Sequence, residues 1–218
     1  MEKKKSLATA IVMTVITMIY TALVYFVDRK PIGPNDTQVG FAWLNGSFRD
    51  AVGLNLTLDK ITDIFMLLAI AVAASFAIVG LVMLIKRKSL LKVDKMIWGL
   101  AVVYIVVAVL YVVFDKVALN YRPFLMPDET ELESSFPSSH VFVICTIMST
   151  AIVAWDSLLS KKAGLANALR AVAIIIMIAS FCGRLISGVH WFTDIIGGAL
   201  YAASLTAIYS AVMDRIKE

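Results

Sequence analysis

The chain's only two histidines, His140 and His190, fall in short polar groups that each adjoin a long apolar run. His190 and Asp194 stand four residues apart. If a helix begins near His190 they share a face, and the carboxylate can hold the imidazole by one nitrogen. The opposite nitrogen is then free to attack, a base–orienter arrangement with histidine itself as nucleophile. His140 is left to protonate a leaving oxygen. Ser138 and Ser139 precede an apolar run, so their amides are expected at a helix N-terminus, where unpaired N–H groups suit an anion. Lys116, Arg122 and Arg184 add three cations, and arginine forks match phosphate oxygens. No cluster of carboxylates is available to hold magnesium, so these cations would offset phosphoryl charge. Each feature also has a plain structural reading: a snorkelling anchor, a helix cap or a hydrogen-bonded pair. The phosphoryl-transfer reading rests on three groups, both histidines and three cations falling at one predicted membrane face.

The elements that carry these groups are membrane helices. Of 218 residues 60% are apolar and only 17% charged, with a mean hydropathy of +0.85. This excludes an ordinary soluble globule and a disordered chain. Six apolar runs are expected to span, at 6–27, 64–85, 96–114, 141–155, 171–183 and 195–213, the two shorter ones with flanking charges at the interfaces. The fold class is therefore all-α, an integral membrane bundle of six helices, since the runs are far longer than barrel strands. The first run, after a basic start, is read as a retained signal anchor. The net charge of +4 records topology more than a partner, because 13 of the 20 basic residues fall on one side. That side and both termini are expected to be cytoplasmic, with loops 28–60, 115–140 and 183–194 outward. Cys145 and Cys182 fit neither a zinc site nor a disulfide framework.

A single domain, 1–218, is expected, with a motif-bearing core at 96–213. Residues 41–53 are read as either a short amphipathic helix in the interface or a packed lid over the helix ends. Asn35, Asn45 and Asn55 each begin an N-x-S/T triplet, taken as chance. The acidic stretch 128–133 is read as a solvated loop beside the polar groups.

The three groups resemble the motifs of the type 2 phosphatidic-acid phosphatase superfamily. In its third motif Arg184, Gly188, His190 and Asp194 match, with Gly183 where the family usually has Ser. In the second, Pro137, Ser138 and His140 match, and Ser139 stands for Gly. In the first, Arg122-Pro123 matches, while Lys116 precedes it with five intervening residues rather than six. The resemblance covers roughly the last four helices. It implies His190 as the nucleophile forming a phosphohistidine, Asp194 as its orienter and His140 as general acid. Lys116, Arg122, Ser138, Ser139 and Arg184 would bind phosphate, with no metal and no cofactor. The expectation is a membrane lipid phosphatase with its site on the extracytoplasmic face of the cell membrane, its partners being the bilayer and a lipid phosphate rather than nucleic acid. Undecaprenyl diphosphate is the first expected substrate, by family analogy and the outward site. Phosphatidylglycerol phosphate and phosphatidic acid are its rivals. A non-catalytic lipid-binding or transport relative and a soluble sugar-phosphate phosphatase are the alternatives. Oligomeric state is not legible in the sequence.

Overall fold

The computed structural model describes residues 2–126 and 130–216, with side chains from Lys5 onward. Asp128 and Glu129 of the acidic stretch, Lys217, and the side chains of Lys3 and Lys4 lie outside the described residues. Among the described residues there are seven α-helices: α1 Glu2–Phe26, α2 Ala42–Val52, α3 Leu56–Arg87, α4 Lys95–Lys116, α5 Ser139–Leu158, α6 Ala163–Ser187 and α7 Phe192–Ile216. All except α2 are long and apolar enough to cross a membrane.

The helices outrun the apolar runs expected from sequence. The run 171–183 becomes the 25-residue α6, because Ala, Leu, Asn and Arg before it continue a helix readily. The run 64–85 becomes the 32-residue α3, capped at its start by Asn55, whose Oδ1 accepts from the Leu58 amide at 3.0 Å. Two charges read as span-flanking therefore sit inside α6. Arg170 reaches Asp156 of α5 at 2.6 Å near one membrane face, and Arg184 is buried near the other.

α5 is the central helix, with half of its apolar window inside the protein, the largest share of the six. It packs against α7, α6 and α3, while α1 lies along α7. One core cluster joins Phe76, Leu100, Phe142, Tyr209 and Met213 across α3, α4, α5 and α7. A second joins Ala69, Ile144, Met148 and Ala173 across α3, α5 and α6. The outer faces of α1, α3 and α4 expose Leu, Ile and Val, as lipid-facing surface does.

α2 combines both readings of residues 41–53. It is a short helix with Trp43 exposed, and its other face packs on the start of α7. Phe48 meets Phe192 at a ring separation of 5.5 Å. Asn45 is fully buried and donates to the Gly40 carbonyl at 2.7 Å and to Thr193 Oγ1 at 2.9 Å, while accepting from the Thr193 amide. Asn45 and Asn55 thus serve as structural caps, and of the three triplet asparagines only Asn45 is buried.

The corner between α2 and α3 is pinned onto the end of α6. The Asn55 amide donates to the Ser187 carbonyl at 2.8 Å. The next residue, Gly188, has φ +70°, and a Cβ there would stand 1.8 Å from the Gly53 carbonyl oxygen. Glycine is required twice over, for the backbone conformation and for the space. Gly188→Ala is expected to cost about 1–3 kcal/mol of stability, read as a lowered Tm in detergent against wild type.

Candidate active site

His190 lies in the four-residue connection between α6 and α7, and it is buried. Its Nδ1 donates to the Ser135 carbonyl at 3.1 Å, with the Ser135 hydroxyl also 3.0 Å away. That hydroxyl is committed as a donor to Asp194 Oδ2 at 2.5 Å, so its lone pairs face the imidazole. The proton therefore sits on Nδ1, and the Nε2 lone pair is free. Nε2 is buried and has no hydrogen-bond partner, an arrangement that costs free energy and asks for a ligand.

Asp194 does not hold His190 directly, contrary to the sequence expectation. Its Oδ2 is 4.0 Å from Nδ1, and Ser135 is interposed. The reason is the helix start. Asp194 occupies the first turn of α7 and reaches back to accept from the Trp191 amide at 3.1 Å, as a third-position acid does at a helix N-terminus. Asn120 Nδ2 donates to its other oxygen at 3.1 Å. Asp194 acts on His190 through Ser135.

Burial holds the His190 imidazole well below its usual titration range, and the positive charges of Arg184 and Arg122 push the same way. The hydrogen bond to Ser135 opposes this more weakly. A depressed histidine stays neutral, with a nucleophilic lone pair, at pH values where an ordinary one is protonated.

Arg184, 1% exposed, is the second anchor of the site. Its guanidinium pairs with Asp59, bonds Thr62 Oγ1 at 3.2 Å and donates to Nδ1 of His140. The other nitrogen of His140, Nε2, is 2.8 Å from Asp63. Asp59, Thr62 and Asp63 lie on one face of α3 by their spacing. Position 183, where a family serine is usual, is glycine; a Cβ there would stand 2.6 Å from Thr62 Cγ2. The departure makes room for α3 to bring this polar face against α6.

The remaining predicted residues surround a neighbouring cavity of about 330 Å³, whose lining includes Lys116, Arg122, Glu131, Glu133 and Ser139. Arg122 Nε pairs with Glu133 at 2.6 Å, and their backbones are tied by a 3.0 Å hydrogen bond. Lys116 sits on the rim, its side chain 77% exposed and paired with Asp115 at 2.9 Å. Ser138 stands behind the cavity at the N-cap of α5, its hydroxyl buried without a partner. Arg184 Nε is likewise buried and unpartnered.

Arg184 and His140 are thus in contact, His190 and Asp194 are joined through Ser135, and Arg122 and Ser139 line the adjoining cavity. Lys116 reaches only its edge. Sequence reading missed Ser135, Asn120, Asp59 and Asp63. Ser135 and Asn120 each stand within two residues of a motif, and Asp59 and Asp63 are an i, i+4 carboxylate pair at the mouth of a span. That last spacing was a usable signal.

Two tests follow from the geometry. In ¹⁵N NMR of histidine-labelled protein, one of the two histidines is expected to remain neutral and Nδ1-protonated as pH falls through 6.5. Two imidazoles charging together near pH 6.5 would contradict the His190 environment. Arg184→Ala strands Asp59 beside the membrane interior. It is expected to cost about 3 kcal/mol, largely regained in the Asp59→Asn/Arg184→Ala double variant, by thermal unfolding in detergent.

Comparison with known proteins bears on the family and the fold. The sequence matches the PAP2 superfamily over residues 95–218. Among solved structures, the fold is similar to a crystal structure of a transmembrane PAP2-type phosphatidylglycerolphosphate phosphatase from Bacillus subtilis. The two share 18% identity with a TM-score of 0.65, over 96% of this chain and 98% of that one. A comparison with curated proteins finds no significant match. The family match spans α4 to α7, the helices that carry all three motifs, and so the chain belongs to the PAP2 superfamily and is a multi-pass membrane phosphatase.

Proposed function

We propose that the chain hydrolyses a lipid phosphate or diphosphate at the extracytoplasmic face through a phosphohistidine on His190. The observation that carries this is the buried Nε2 of His190, unpartnered, with its proton held on Nδ1 by Ser135. Nε2 attacks phosphorus, the bond to the leaving oxygen breaks, and His140 supplies the proton that oxygen needs. In the second step water attacks the phosphohistidine, His140 takes its proton, the P–N bond breaks, and phosphate leaves. Arg122, Arg184, Ser138 and Ser139 supply the donors and positive charge for the equatorial oxygens. Lys116, on the rim, adds long-range attraction for the headgroup.

A lipid rather than a soluble phosphate is favoured by a groove of about 470 Å³ between α3, α4 and α5. Its lining is almost wholly apolar, including Ile70, Ala108, Val112 and Ile147. Tyr111 lines both this groove and the polar cavity, so a tail and a headgroup fit one molecule. Charge supports the outward face. The linker from α3 to α4 carries Lys86, Arg87, Lys88, Lys92 and Lys95 at the end of the bundle opposite the site, and such loops are cytoplasmic. Both termini lie at that same end.

Undecaprenyl diphosphate is the first substrate to test. Phosphatidylglycerol phosphate is the second, since the structural neighbour is named for that activity. Purified protein is expected to release phosphate from one of these lipids in detergent with excess chelator. His190→Ala is expected to lower turnover about 10⁴-fold or more and to abolish an acid-labile, alkali-stable phosphoprotein seen on rapid quenching. Unchanged turnover in His190→Ala would overturn the nucleophile assignment.

A further inference from the structure

We propose that Asp63 of α3 is a positioning residue for the proton donor His140, so that the second transmembrane helix takes part in catalysis. This rests on the reading of His140 as general acid. Asp63 Oδ1 lies 2.8 Å from His140 Nε2, and Arg184 occupies the opposite nitrogen. A guanidinium can only donate, so Nδ1 accepts from Arg184 and Nε2–H donates to Asp63. In the substrate-free protein the ring is therefore neutral, and both of its nitrogens are engaged.

A phosphate group changes that pattern. Its oxygens are stronger acceptors for a guanidinium than an imidazole nitrogen is. When phosphate takes the Arg184 N–H, Nδ1 is free to take up a proton from solvent, giving the imidazolium. Asp63, still on Nε2, offsets the charge of the imidazolium and aims Nδ1 at the leaving oxygen. The Nδ1–H bond breaks as the oxygen takes the proton and the phosphorus–oxygen bond opens, and the ring returns to its neutral form with Nε2–H on Asp63. A carboxylate on the far nitrogen of a catalytic histidine is the orienter of a nucleophile–base system, here applied to an acid. The charged and titratable groups facing His140 are Asp63 and Asp59 of α3, Arg184 of α6, Arg122 of the loop before α5, and the neutral His190. Of these only Asp63 bonds Nε2. Its side chain is 57% exposed, so Asp63→Asn leaves no core defect.

The test is steady-state turnover of the full chain in detergent micelles containing the better substrate of the two above. Asp63→Asn and Asp63→Ala are compared with His140→Ala and with the His140→Ala/Asp63→Asn double variant. Asp63→Asn is expected to lower kcat about ten- to a hundredfold, with KM within about twofold. Once His140 is gone, Asp63→Asn is expected to cost nothing more, since the two act as one unit. Losses that multiply in the double variant would overturn the proposal, as would a kcat within twofold in both Asp63 variants. A fall in Tm with unchanged kcat would mark Asp63 as merely structural and equally overturn it. Full activity in His140→Ala would instead sink the general-acid reading, and this inference with it. A loss in His140→Ala without one at Asp63 would leave the phosphatase reading intact.

Discussion

A guanidinium buried at the end of a membrane helix must be neutralised where it stands, and the arrangement around Arg184 follows from that constraint. Neither lipid nor water offsets its charge at 1% exposure. Asp59 does so from α3, while His140 accepts a hydrogen bond from it at the start of α5. One charge thereby fixes the relative depth of three helices. The fit also explains Gly183, which removes a side chain where Thr62 must approach. A phosphate arriving at this cation meets a site whose charge is already balanced, so it must compete with Asp59 and His140 for the guanidinium N–H groups. Arg122 with Glu133 and Lys116 with Asp115 repeat the theme around the neighbouring cavity.

His190, the proposed nucleophile, is fixed by different means. Around His190 the links are hydrogen bonds between short side chains and backbone: Ser135, Asn120, the Trp191 amide and Asp194. Each partner comes from a loop or the first turn of a helix, and α2 seals them through Asn45 against Thr193. The polar chain is satisfied everywhere except at Nε2, the atom proposed to attack phosphorus. A buried network so nearly closed holds its ring in one tautomer.

Much of this was legible beforehand, for identifiable reasons. Long uncharged runs can only be membrane helices, so the all-α bundle and its six spans followed from hydropathy. The spacing of Arg184, His190 and Asp194, and the Pro137–His140 group, pointed to a shared polar face. Helix ends were misjudged by several residues at α3 and α6, because charged and small polar residues continue a helix once it has left the apolar layer. The direct His190–Asp194 bond was misjudged because sequence spacing places two side chains on one face but says nothing of a third residue inserted between them. Ser135 is 55 residues from His190 in sequence, and Asp63 is 77 from His140.

The sequence by itself determined that the chain lives in a membrane, which chemistry its polar residues can perform and which family it belongs to, because apolar length and motif spacing are local properties. Tertiary structure alone decided the partners of those residues: Ser135 between His190 and Asp194, Asp59 on Arg184, Asp63 on His140, and Lys116 at the rim rather than within. Those pairings are long-range. They are selected by which charges and hydrogen-bond donors must be satisfied together out of water, and no local pattern records that demand.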